Sequence, residues 1–412
     1  MPLRTRYGYN CQKVNFGKIT NFLPLGYMEV IPGETIRGKI TVDVHSAPTV
    51  RAINTRVYMD LYAFYTPYRL VFPEWPEFIS GQVTPPTLPT VANTWEDNLE
   101  PRLTQGAGTP TSNLAFQRRT YNLVFNKFFR ESDPQSPTLD ANSLLQVYQR
   151  PSTFEVADPP RSIASTSITA DTTVDDLRQS FATDQFNKMR QFYGDRYVDY
   201  LRAVGVQTGW QIQEEPEPIG KSHHDLPFRL VPNTTDSSTN EPLGYTAGYF
   251  KGKNVLDIRR TFTPEHGLIG AFLVVRCDPI YDTPACAPHL AHENLEDFWS
   301  PEFEATRERN YYTAVIEPPG ASNALDVDRP AFEHLRKGLN ENRDMTDLSP
   351  TNRQVLGMYT TSTVTNRPTA AEFDGNFDLT DMAGSRHYQA TSDWRLTRNS
   401  PLIRHGQTKA IH

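Results

Sequence analysis

The sequence predicts a mainly β protein, an antiparallel sandwich or jelly roll with long loop and helical insertions. Three observations point there. Aromatic residues make up 11% of the 412 residues, with 22 Phe, 19 Tyr and 5 Trp, and such side chains favour strands. Thirty-three prolines mark frequent turns and oppose a helical bundle. Strand patterns near both ends of the chain, separated by a helical segment, require sheet partners distant in sequence.

The elements follow in chain order. From Thr35 to Ser46, Ile36, Gly38, Ile40, Val42 and Val44 fall on one face and Arg37, Lys39, Thr41, Asp43 and His45 on the other, the alternation of a half-buried strand. From Ala52 to Thr66, Ile53, Val57, Met59 and Leu61 oppose Tyr58, Tyr62 and Phe64, and Pro67 ends the run. A strand apolar on both faces is expected between two layers. Thr173-Val174-Asp175-Asp176 opens a helical pattern carried by Val174, Leu177, Phe181, Met189 and Phe192, then by Tyr197, Tyr200, Leu201 and Val204, with Gly194 dividing two helices. Val255–Thr263 and Leu268–Arg276 flank Pro264-Glu265-His266-Gly267 and read as a hairpin. Asn310–Ile316 and Leu356–Thr365 are weaker strand candidates.

The formal charge is −7, from 41 Lys+Arg and 48 Asp+Glu, but its distribution matters more than its sum. Arg4, Arg6, Lys13 and Lys18 precede the first acidic residue, Glu29, and Arg395, Arg398, Arg404 and Lys409 follow the last, Asp393. Residues 1–21 therefore read as a basic N-terminal arm and 394–412 as a basic tail around a single domain, 22–412, with insertions at about 81–250 and 280–350. One reading of the basic ends is solvated charge. The other is contact with a polyanion, helped by stacking on Tyr7, Tyr9, Phe16 or Trp394.

Signals for chemistry are sparse. Cys11, Cys277 and Cys286 form no disulfide framework and suit a reducing compartment. The start of the chain lacks the apolar core of a secretory signal, and the most apolar run, Gly267 to Val275, is too short to cross a bilayer. No GxxxxGK[ST], GxGxxG or GxSxG occurs. His289/His292/Glu293 and His223/His224/Asp225 lack zincin spacing, and Asp278/Asp282 and Glu293/Glu296/Asp297 lack an EF-hand loop, so no metal or cofactor is expected. Glu265-His266 fits a structural turn better than an acid/base pair, and the sequon at Asn233 carries little weight without a secretion signal.

Leu25–Thr35, Tyr62–Gly81, Leu177–Tyr197 and Phe262–Trp299 are four segments that resemble the major capsid proteins of microviruses, small single-stranded DNA phages, in particular the gokushovirus-like branch. Leu25-Gly26-Tyr27-Met28-Glu29-Val30-Ile31-Pro32-Gly33-Glu34-Thr35 is similar to the "EVLPGDT" segment before that family's first core strand. Tyr62-Ala63-Phe64-Tyr65-Thr66-Pro67-Tyr68-Arg69-Leu70, with Trp75, Phe78 and Gly81, resembles its aromatic strand. Leu177-Arg178-Gln179-Ser180-Phe181 with Tyr193 to Tyr197, and Phe262 to Gly267 with Gly270, Arg276, Tyr281 and Phe298-Trp299, follow in the family's order. The chain departs from the pattern at Glu214-Glu215-Pro216-Glu217-Pro218 and has lost a glycine near Gly194. These departures suit a separate lineage with a reduced surface protrusion.

The resemblance implies a single eight-stranded jelly roll of viral capsid type, with no catalytic activity. Sixty copies would close a T=1 icosahedral shell around circular single-stranded DNA. Long ordered loops then have a use, because a shell subunit presents different surfaces to its five-, three- and two-fold neighbours. Arg4, Arg6, Tyr7, Tyr9, Lys13 and Lys18 are the expected nucleic-acid contacts, binding without sequence preference. Expected partners are further copies of the chain, the genome, a small basic DNA-packaging protein and a pilot or minor capsid protein, with no membrane. The competing reading is a carbohydrate-binding or glycoside-acting β-sandwich, since the same architecture hosts both.

Overall fold

The computed structural model describes residues 5–50, 52–53, 55–80, 86–92, 112–129, 144–145, 147, 215–232, 246–277, 280–281, 295, 298–301, 308–312, 324–330, 358–359, 373–379 and 386–401. The helical pattern at 173–204, the clusters Asp278/Asp282, His289/His292/Glu293 and Glu293/Glu296/Asp297, and the sequon at Asn233 lie outside them.

In chain order the first strands are β1 Thr5–Gly17, β2 Phe22–Val30, β3 Glu34–Ser46 and β4 Val57–Pro67. Helices α1 Tyr68–Val71 and α2 Trp75–Ile79 follow, then β5 Thr90–Ala92, β6 Ser112–Leu114 and helix α3 Phe116–Phe128. Next come β7 Glu217–Leu226, β8 Phe228–Pro232, β9 Thr246–Thr263 and β10 Gly267–Cys277. The last are β11 Ile280–Tyr281, β12 Glu308–Tyr312, β13 Ala324–Pro330, β14 Met358–Tyr359 and β15 Tyr388–Ser400.

Two antiparallel sheets form a mainly β sandwich. One is ordered β1-β15-β3-β9-β8 and the other β2-β10-β4-β7. Their facing sides share one apolar core that includes Ile36, Ile40, Val42 and Val44 of β3, Leu256 of β9, Trp394 of β15, and Met59 and Leu61 of β4. The alternation anticipated for β3 is present: those four aliphatic residues are buried while Arg37, Lys39, Asp43 and His45 are exposed.

β4 is apolar on both sides because a third layer covers it. Phe128 and Phe129, at the end of α3, pack on Phe64 and Tyr62, with ring centroids 4.7 and 4.9 Å apart. Phe22 and Phe272 stack at 4.6 Å under Tyr121 of the same helix. The Tyr121 hydroxyl donates to the Phe22 carbonyl at 2.8 Å and accepts the Leu145 N–H at 2.9 Å. These bonds fix the helix by satisfying polar groups inside an apolar layer.

Three expectations need correction. The segments on either side of Pro264 do not pair as a hairpin: β9 hydrogen-bonds to β3 and β8, whereas β10 hydrogen-bonds to β2 and β4. The turn carries the chain from one sheet to the other. It is anchored at the end of β4 by Arg69–Glu265 at 3.1 Å, Tyr65 Oη to the Glu265 carbonyl at 2.9 Å, and Tyr68 N to the His266 carbonyl at 2.9 Å. The described parts of the basic ends are not free tails either. Residues 5–17 pair with β15 along their full length, and β15 occupies 388–400. Within 81–250, expected as insertion, β7 pairs along β4 and completes the second sheet. Among the described residues, no helix is long and apolar enough to cross a membrane.

Candidate nucleic-acid interface

The strand geometry sorts the residues expected to contact DNA. Along β1, exposed and half-buried positions alternate, and a two-residue period assigns each side chain to one face of the sheet. Arg6 is exposed and points away from the core, whereas Tyr7, Tyr9 and Lys13 lie on the other side. Arg4 lies outside the described residues.

Lys13 and Tyr9 are structural. The Lys13 ammonium sits 4.5 Å above the Trp394 ring and donates to the Tyr27 carbonyl at 3.0 Å, joining β1 to β2 of the other sheet. Its stem lies across Gly26, whose φ is +148° and whose missing Cβ leaves the necessary room. Burial holds the Lys13 pKa below the usual lysine value. Tyr9 meets Trp394 edge-on at 6.4 Å, and burial, reinforced by a hydrogen bond to Cys11, pushes its phenol up to about 12. Lys18, in the turn after β1, pairs with Asp374 at 3.1 Å. Of the five described candidates, Arg6 alone faces outward.

The cations that face outward come from strands that sequence reasoning did not connect. Arg6 of β1, Arg395 of β15 and Arg37 and Lys39 of β3 are exposed on the outer side of the five-stranded sheet. Arg229 of β8 and Lys251, Lys253 and Arg259 of β9 extend that surface. Against these eight cations the same face carries Asp43, Asp257 and Asp393. Phe16 and Phe262, 45% and 53% exposed, add flat apolar surface at its ends.

Register brings like charges together. Lys39 stands directly opposite Arg395 on β15 and opposite Asp257 on β9. The β3–β9 register skips between Ile36 and Gly38, so Arg37 faces Arg259 and Arg260 at a bulge. Like charges in opposed positions of a sheet are destabilising, an effect softened here by Asp393 beside Arg395 and Asp257 opposite Lys39. A polyanion would reduce the remaining repulsion.

His223 and His266, from the remaining candidate clusters, make structural contacts. His223 Nδ1 lies 2.5 Å from Asp60 Oδ1, and Arg276 Nε donates to Asp60 Oδ2 at 2.5 Å. His266 packs against Trp75 at 5.6 Å. Among the described residues, no group of three His, Cys, Asp or Glu side chains could hold a metal ion.

The sequence matches the family described as "Capsid protein (F protein)" over residues 3–143 and 138–316. The chain belongs to this capsid protein family. Capsid protein VP1 of Bdellovibrio phage phiMH2K is 30% identical over 408 aligned residues, covering 76% of this chain and 75% of that protein. Capsid protein F of Escherichia phage G4 is 23% identical over 285 residues, and capsid protein F of Enterobacteria phage phiK 22% over 280. These two matches take in 65% and 64% of this chain, and the chain spans only 64% and 63% of the two F proteins. The family match covers β1 to β12 and stops short of β15, so the strand that brings Arg395 onto the basic face lies beyond it.

Proposed function

We propose that the chain is a non-enzymatic major capsid protein, sixty copies of which close a T=1 icosahedral shell around circular single-stranded DNA. The observation that carries this reading is strand order. Numbering the eight principal strands β1, β2, β3, β4, β7, β9, β10 and β15 consecutively, one sheet runs 1-8-3-6 and the other 2-7-4-5. This order supports the reading of a single eight-stranded jelly roll, a double-sheet architecture used by viral capsids, in a chain of the capsid protein family.

The basic sheet face supplies the inner surface in this reading. Screening limits each charge to about 8 to 10 Å at physiological salt, so a total of −7 does not oppose DNA held against a locally cationic face. The contacts are to phosphates and are sequence-independent in their main energy. A small basic packaging protein neutralises the rest of the genome, a pilot or minor capsid protein completes the particle, and assembly takes place in the bacterial cytoplasm.

Electron microscopy of particles purified from producing cells tests the proposal. Closed shells of uniform diameter that contain this chain and DNA are expected. A chain that stays monomeric and free of DNA in the same cells overturns it.

A further inference from the structure

The outer face of the five-stranded sheet is not flat. Thr41 and Asp43 of β3 and Thr391 of β15 are short side chains between longer ones, and they floor a depression of about 340 Å³. That volume is near the lower end of small-ligand sites, about 300–1,000 Å³, and suits one nucleotide rather than a folded strand. Register explains the hollow: Thr391 opposes Asp43, and Asp43 opposes Lys253.

The lining is chemically divided. Lys251 and Lys253 stand on the β9 side, where ammonium groups attract phosphate. Gln12 and Gln389 stand toward β1 and β15, and each amide offers both donors and an acceptor. Asp43 lies between them. Asp393 is held by Arg395 at 2.8 Å, whereas Asp43 has no ion pair with a described residue and is exposed. Its carboxylate is an open acceptor in the middle of a cationic surface.

We propose that this depression seats one unpaired nucleotide and selects an amino-bearing base. This rests on the reading of the same sheet face as DNA-facing. The phosphate lies on Lys251 and Lys253, and the exocyclic amino group donates to Asp43. Carboxylates accept from the cytosine N4 amino group, whereas thymine presents a carbonyl oxygen at that position and would place it against a negative charge. His45, one wall of the depression, is held by stacking on Tyr249 at 5.0 Å.

The test compares oligo(dC) with oligo(dT) of equal length, titrated into the purified full-length protein at neutral pH and at several salt concentrations. The wild-type protein is expected to bind oligo(dC) about five- to tenfold more tightly. Asp43→Asn should bring oligo(dT) up to the oligo(dC) level, and an unchanged thermal midpoint shows that this variant is folded. Lys251→Gln with Lys253→Gln should weaken both oligonucleotides together and flatten the salt dependence. Equal binding of the two by wild type, with a steep salt dependence, overturns the seat and leaves the basic face standing. Failure to bind either one at low salt overturns both.

Discussion

Arg398 and Glu34 form a buried bidentate ion pair across 364 residues of sequence, Nε to Oε1 at 2.6 Å and Nη2 to Oε2 at 2.8 Å. The Glu34 side chain is fully buried. Its Oε2 also accepts the Ile31 N–H at 3.3 Å, while Thr263 Oγ1 donates to the carbonyls of Ile31 and Glu34. The glutamate of the Pro32-Gly33-Glu34 turn thus joins the start of β3, the end of β9 and the last strand. Removing one partner leaves a buried charge uncompensated. Arg398→Met is expected to cost about 3–5 kcal/mol, read as a lower urea midpoint at neutral pH. Adding Glu34→Gln to that variant should restore most of the loss.

Lys13 separates structural from DNA-binding roles. Lys13→Met keeps the aliphatic stem over Gly26 and removes both the bond to the Tyr27 carbonyl and the contact with the Trp394 ring. The expected loss is about 1–2 kcal/mol of subunit stability, measured by denaturant titration, with affinity for single-stranded DNA unchanged. A large drop in DNA affinity at intact stability would return Lys13 to the interface.

The outward cations should behave in the opposite way. Replacing Arg37 and Lys39 together by Gln relieves their crowding against Arg259, Arg260 and Arg395 and removes the pairing of Lys39 with Asp257, so the two effects offset and stability is expected to stay within a few tenths of a kcal/mol of wild type, about the size of a cross-strand pair. If each contacts a phosphate, the slope of log affinity against log salt for single-stranded DNA should fall by roughly 1.4, about 0.7 per contact. Titrations at several salt concentrations measure it.

Gly38 is needed where β3 meets β15. Its φ is +148°, and a Cβ there would collide with the carbonyl oxygen of Arg395 and lie 2.8 Å from Leu396 Cα. Backbone atoms inside a paired sheet cannot move aside cheaply. Gly38→Ala is expected to lower stability by about 3 kcal/mol, visible as a reduced thermal midpoint of the isolated subunit.

What the sequence made legible depended on how one-sided each strand is. β3 has a buried and an exposed face, so its alternation named both, and β10 is buried along nearly its whole length, so its apolar run marked it. β1 escaped notice because its inward positions are Tyr7, Tyr9, Cys11, Lys13 and Asn15, polar or amphipathic side chains at a sheet edge. β7 buries only Ile219 and Leu226, too few for a period to show. The basic face was illegible for a different reason. Its charges come from β1, β3, β8, β9 and β15, and only the pairing of distant strands gathers them on one surface. The charge runs at the two ends looked like tails because sequence order hides that they are each other's neighbours.

His387 links pH to the closure of the sandwich. Its side chain is fully buried, Nδ1 accepts the Ile19 N–H at 3.0 Å, and Nε2 lies 2.6 Å from Asp374, which also holds Lys18. With Nδ1 accepting, the single ring proton is on Nε2 and the imidazole is neutral. Phe377 stacks on it at 4.9 Å. Burial pulls the pKa from its ordinary 6.5 down to about 4, against the opposing pull of Asp374. Between those values the unfolded chain takes up a proton that the folded chain refuses. The stabilisation is therefore complete above about pH 6.5, declines as the pH falls, and is gone below about 4, an overall loss of about 3 kcal/mol. Urea midpoints of the subunit measured from pH 7 to pH 5 should fall in the wild type, a window largely above the titration of ordinary carboxylates. His387→Gln should be less stable at pH 7 yet nearly flat across the same window. Parallel slopes for the two proteins would remove His387 as the origin of the acid sensitivity.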